Sequence, residues 1–127
     1  MWARAALRSA LVALAIGLTG CGGSAGATDA AGDGPGTTVV GLDSMKFNPD
    51  AITVKAGTAV KFTFRNGGIL PHDFITEGAD QNVRLTNITG GRSGSGTFLA
   101  NKPGTYSVVC VQPGHKEAGM TAKIVVE

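Results

Sequence analysis

Two cysteines, two histidines, one tryptophan and one tyrosine are all that 127 residues contain of these types. So small a set leaves no paired cysteines for a dinuclear metal centre and no acid/base constellation of the kind an enzyme requires, so catalysis is not expected. Runs of basic residues are missing as well. Without Arg4 and Arg8 the chain carries nine basic residues against nine acidic, which argues against a nucleic-acid partner. The longest apolar stretch, Ala10 to Leu18, is too short to span a bilayer as a helix. No internal repeat is visible. The glycine-rich stretch Gly90 to Gly96 has neither a dinucleotide fingerprint nor a Walker lysine, so it reads as a floppy loop without a phosphate site.

What is present divides into three parts. Residues 1–20 place Arg4 and Arg8 before the apolar run and end in Leu18-Thr19-Gly20 ahead of Cys21, the layout of a secretory signal. Leu-Thr-Gly-Cys resembles the lipobox of bacterial lipoproteins, which implies cleavage before Cys21, lipidation of that cysteine and an extracytoplasmic protein anchored to the bacterial membrane. An ordinary cleaved signal is the other reading, with Cys21 free or paired to Cys110; such a disulfide would remove the Cys110 thiolate. Residues 21–36 offer no large apolar side chain to bury and read as a tether.

Residues 37–127 form the folded domain. Short segments separated by turn residues, without a sustained helical period, predict strands at Thr37–Leu42, Ala51–Val54, Ala59–Arg65, His72–Thr76, Gly96–Leu99, Thr105–Cys110 and Thr121–Val126. Val60, Phe62 and Phe64 alternate onto one face. Breaks at Asn48-Pro49-Asp50, Ala56-Gly57-Thr58, Asn66-Gly67-Gly68 and Lys102-Pro103-Gly104 have turn chemistry. An all-β, Greek-key sandwich of about seven to eight strands is the expected fold.

Against this background, the stretch from Cys110 to Met120 stands out. It holds a thiol, the imidazole of His115 and the thioether of Met120, with His72 at the start of an upstream strand. Each side chain alone reads as core filler or a solvated turn; Met45, which precedes Lys46-Phe47 in a further expected strand, is read as sandwich core. Together, two imidazoles, a thiolate and a weak thioether are the ligands of a blue-copper electron-transfer centre, a mixture that binds both copper valences. Zinc suits Cys and His but does not usually take a methionine.

Cys110-x4-His115-x4-Met120, Pro71-His72 and the upstream elements Phe47-x-Pro49, Ile52-x-Val54-x-x-Gly57 and Val60-x-Phe62-x-Phe64-x-Asn66 resemble the cupredoxins, the small blue-copper proteins that include plastocyanin, azurin and auracyanin. The likeness covers residues 37–127. It implies one type 1 copper ion held by His72, Cys110 and His115 in the equator and by Met120 on the axis. It further implies a monomeric electron carrier that docks briefly with redox donor and acceptor proteins through an apolar patch near His115, formed by Ile69, Leu70, Pro71 and Pro113. A copper chaperone or storage module on the same fold is the alternative, and a metal-free structural sandwich a third reading. Two positions bear on the site: Asp73 stands where many members have asparagine, and Pro71 precedes His72 as in plastocyanin, which implies a four-coordinate centre.

Overall fold

The structure, a computed structural model, describes residues 36–127. These form nine strands: β1 Gly36–Leu42, β2 Lys46–Asn48, β3 Ala51–Val54, β4 Val60–Asn66, β5 His72–Thr76, β6 Arg84–Ile88, β7 Ser93–Phe98, β8 Gly104–Val109 and β9 Thr121–Val126. They make two sheets, one in the order β2-β1-β4-β7 and the other β3-β9-β8-β5-β6. The all-β sandwich expected from the strand pattern is therefore present. No helix among the described residues is long and apolar enough to cross a membrane. Residues 1–35, with the leader, Cys21 and the tether, lie outside the described residues.

Both sheets mix parallel and antiparallel pairs. β1 runs parallel to β4, with Val39 beside Phe64, and β3 runs parallel to β9, with Ile52 beside Ile124. Parallel neighbours cannot be joined by a tight hairpin, so the chain crosses between sheets and one continuous core forms between them. That core contains all five phenylalanines. Phe64 stacks on Phe74 at 5.6 Å, while Phe47 meets both rings edge-on at 6.0 and 5.8 Å. Phe62 links Phe74 to Phe98 across the same layer. Edge-to-face and offset contacts of this kind add to the gain from burial alone.

Alternation decides which side chains enter. In β4, Val60, Phe62, Phe64 and Asn66 are buried while Arg65 is exposed. Three strands, Ala51–Val54, His72–Thr76 and Thr121–Val126, have the bounds that turn chemistry and period-two patterning predict.

One strand, β6, was not expected; β2 lies at the expected strand around Lys46-Phe47, and β7 extends the expected strand Gly96–Leu99 back into the expected loop. β2 has only three residues, with Phe47 alone turned inward, too few to display a period. β6, Arg84–Ile88, has no buried residue in its pattern and lies at a sheet edge, so it lacks the apolar alternation that marks a strand. The supposed floppy loop reaches only to Arg92, and Ser93 to Phe98 form β7. Its glycines reflect close packing at this end of the sandwich, not looseness. A Cβ on Gly94 would lie 3.2 Å from Leu85, and one on Gly96 would lie 2.8 Å from Val83. Met45 sits in the turn before β2 at φ 58° and packs half-buried against the core, as its apolar character predicts.

Candidate metal centre

β5 and β8 are antiparallel neighbours, with Ile75 opposite Val109 and Thr76 opposite Val108. That register brings Cys110, the residue after β8, beside Asp73, and the backbone amide of Asp73 donates to Cys110 Sγ at 3.3 Å. His72 is one residue away at the head of β5 and is fully buried. The sheet thus sets two of the predicted side chains together from positions 38 residues apart in sequence.

The third comes from the loop between β8 and β9. Its ends are tied, since Cys110 N donates to Met120 O at 3.3 Å and Met120 N to His115 O at 3.0 Å. Inside it, His115 N donates to Gln112 O and Ala118 N to Gly114 O. Gly114 and Gly119 adopt φ of 79° and 96°, the left-handed region that suits glycine. The loop folds back so that His115, half-buried, points at the strand pair, and Met120 is wholly buried in the core.

The ligand atoms of His72, Cys110 and His115 all lie within 4.8 Å of one another. His72 Nδ1 stands 3.2 Å from His115 Nδ1, which stands 3.5 Å from Cys110 Sγ. Both imidazoles therefore turn the same ring nitrogen toward the thiol. Cys110 is buried and forms no disulfide among the described residues.

Electrostatics favour a neutral His72 imidazole and a protected sulfur. Burial pulls the His72 pKa down, and the neighbouring His115 adds to this, against opposing pulls from Asp43 and Asp73. Burial pushes the Cys110 thiol up; the backbone amides of Asp73 and Gln112 partly offset this by donating to sulfur. A cation at the centre would reverse that balance, since a coordinating thiol is deprotonated outright. The donor set fits copper: soft thiolate with two imidazoles, a buried thioether next in the loop and amides directed at sulfur.

Three residues around the site have roles that sequence reasoning did not assign: Asp43 and Gly41, and Asn66, which entered only as part of the family-like motif. Asp43, in the turn after β1, has Oδ1 3.5 Å from His72 Nε2, and its oxygens accept from the amides of Ile69 and Leu70 at 2.9–3.1 Å. Those amides hold its carboxyl below the usual carboxylate range, with a smaller pull from His72. Asn66 is buried and clamps the other side of the same loop: its Nδ2 donates to Leu70 O at 2.6 Å and Ile88 O at 2.7 Å, and its Oδ1 accepts from Gly68 N. Gly41 in β1 leaves room for the site, because a Cβ there would lie 2.6 Å from the Phe64 ring and 3.3 Å from His72 Cδ2. A spacing argument has no access to any of these, since each acts across strands that only folding makes neighbours.

Asp73, singled out from the sequence, is buried with its carboxylate facing donors only. Oδ1 accepts from Asn87 N at 2.7 Å and Gln112 Nε2 at 2.9 Å, and Oδ2 from Val111 N at 3.2 Å. It bonds the ligand loop, as expected. Near the site Ile69, Leu70 and Val111 are exposed apolar residues, at 83%, 40% and 52%. Val111 adds to the expected patch, and Pro113 is exposed while Pro71 is half-buried.

Comparison with known proteins agrees with this geometry. The family described as "Copper binding proteins, plastocyanin/azurin family" matches residues 36–127. Amicyanin-alpha of Methylorubrum extorquens is 33% identical over 108 residues, covering 82% of this chain and 84% of that protein. The copper-resistant cuproprotein CopI of Rubrivivax gelatinosus is also 33% identical, over 105 residues; the match covers 69% of this chain but only 64% of CopI's length. Among solved structures, reduced auracyanin from Roseiflexus castenholzii superposes with a TM-score of 0.63 at 18% identity, over 76% of this chain and 99% of that one. With a matching family across the whole described domain and its donor set assembled in one place, the chain belongs to the plastocyanin/azurin family of copper-binding proteins.

Proposed function

We propose that this protein is a one-electron carrier with a single type 1 copper held by His72, Cys110 and His115, with Met120 as the weak axial donor. The observation that carries the reading is the convergence of three ligand atoms within 4.8 Å from two strands and one closed loop, in a family of copper-binding proteins. Copper supplies the change of valence. The protein supplies a ligand frame that stays in place: His72 is set by β5, Cys110 by the β5–β8 register, and His115 by a loop tied at both ends. Pro71 before His72 supports a four-coordinate centre.

His115 is the half-buried histidine of the pair, so electrons would pass through it to partners seated near Ile69, Leu70, Val111 and Pro113. A small apolar surface suits brief docking. The lipobox-like Leu18-Thr19-Gly20-Cys21 supports an extracytoplasmic protein held at the membrane by lipid on Cys21. Cys21→Ala should release it from the membrane fraction; retention there would remove the lipid anchor from this reading.

Cys110→Ser is the direct test of the centre. The copper-loaded wild type should show an intense visible charge-transfer band that the variant lacks. A band that survives the substitution would take Cys110 out of the site. The resemblance to a copper-resistant cuproprotein favours one second reading, a module that stores or hands over copper. Retention of copper through repeated reduction and oxidation separates a carrier from a module that exchanges its metal.

A further inference from the structure

One carboxylate beside the centre is not among the proposed ligands. Asp43 projects from the turn after β1 and holds Oδ1 3.5 Å from His72 Nε2, a buried nitrogen without a hydrogen-bond partner among the described residues. His72 turns Nδ1 toward His115 and the thiol. A neutral imidazole that offers its lone pair at Nδ1 must carry its proton on Nε2, and the group facing that proton selects the tautomer.

The surroundings hold the carboxylate in this position. The amides of Ile69 and Leu70 both donate to it, so it is fixed to the segment that leads into His72. Gly68 lacks a side chain where a Cβ would collide with the Asp43 carboxylate, and Gly41 lacks one where it would press on the His72 ring. The space between β1 and the His72 imidazole is thus shaped on both sides.

We propose that Asp43 is a positioning residue for the metal centre: it accepts the His72 Nε2–H, selects the tautomer that directs Nδ1 toward Cys110 and His115, and strengthens the imidazole as a donor. The proposal rests on His72 being a ligand in the reading above. Its first test nevertheless needs no metal.

Nitrogen-15 NMR of the metal-free wild type should show His72 as a single Nε2–H tautomer with a slowly exchanging proton. Asp43→Ala should lose that slow exchange and mix the tautomers. Asp43→Asn keeps an acceptor oxygen and should keep the tautomer, which a mere loss of loop rigidity would not discriminate. In copper-loaded protein both variants should shift the reduction potential upward, because a negative charge that favours the oxidised centre is gone. An Nδ1–H tautomer in the wild type overturns the proposal, as does an unchanged tautomer and exchange rate in Asp43→Ala. Potentials unchanged in both variants overturn the claim on donor strength. Should Asp43→Ala fail to fold, the wild-type tautomer and Asp43→Asn still decide. Wild-type protein that shows the tautomer but takes up no copper would instead defeat the electron-carrier reading and leave the contact standing.

Discussion

Asp73 and Met120 show what single side chains contribute around the metal ligands. The Asp73 carboxylate meets three N–H donors, so Asp73→Ala would take the acceptor from three part-buried donors at about 1 kcal/mol each. The urea midpoint should fall accordingly. Asp73→Asn conserves shape while removing a charge near the thiolate, and voltammetry should record a higher potential, since the oxidised centre loses a stabilising anion. Met120→Leu should likewise leave copper bound and raise the potential, because a weak donor to the oxidised ion is lost. An unchanged or lower value would contradict its axial role. These residues were legible in sequence as rare types at telling spacings, and Asp73 as a departure from a family pattern. Asp43 was not, and Asn66 only as part of a family-like motif, since an acid in a turn and an asparagine at a strand end have no evident role until the partner atom is known.

At the scale of elements, β1 and β7 depend on glycine for packing. Gly41 faces Phe64 and His72, and the absent Cβ would lie 2.6 Å from the Phe64 ring. Gly41→Ala should therefore destabilise the domain by about 1–3 kcal/mol through overpacking, read in the urea midpoint, and should also disturb the copper spectrum through His72. Gly96→Ala, where the Cβ would meet Val83 at 2.8 Å, should cost stability without changing the spectrum, since that Cβ would press on Val83 and on none of the ligands. Strands with strong alternation, such as β4 and β9, are legible because their buried face is apolar at every second position. β6 is not, and β7 only from Gly96 onward: an edge strand with polar residues and a strand opening on glycine and serine both imitate loops, and only their neighbours across the sandwich give them a reason.

For the molecule as a whole, burial of the ligands ties stability and metal affinity to pH. His72 titrates below its ordinary 6.5 in the folded state, so below that pH the unfolded chain binds more protons and the metal-free domain loses stability as pH falls. Cys110 titrates above 9.0, so above that pH the unfolded chain has released a proton that the folded one keeps, and stability falls as pH rises. Urea midpoints of metal-free protein should thus form a plateau between these limits. Copper loading displaces the Cys110 proton but none from His72 at neutral pH. Apparent affinity should rise about tenfold per pH unit between about pH 7 and 8, as for one released proton. A flat affinity profile would mean that the thiol is not a ligand. Copper at a thousandfold excess over its dissociation constant should add about 4 kcal/mol to unfolding.

The amino-acid sequence by itself determined the class of fold and the kind of metal, because apolar alternation selects a buried face and a set of soft and borderline donors selects copper, each through properties carried by the residues alone. Tertiary structure decided the rest. The β5–β8 register brings His72 and Cys110 together, the tied loop returns His115 to them, and the turn after β1 places Asp43 against the far side of His72. Contacts between residues tens of positions apart depend on which strands pair and in which register, and those choices are made by packing of the whole core.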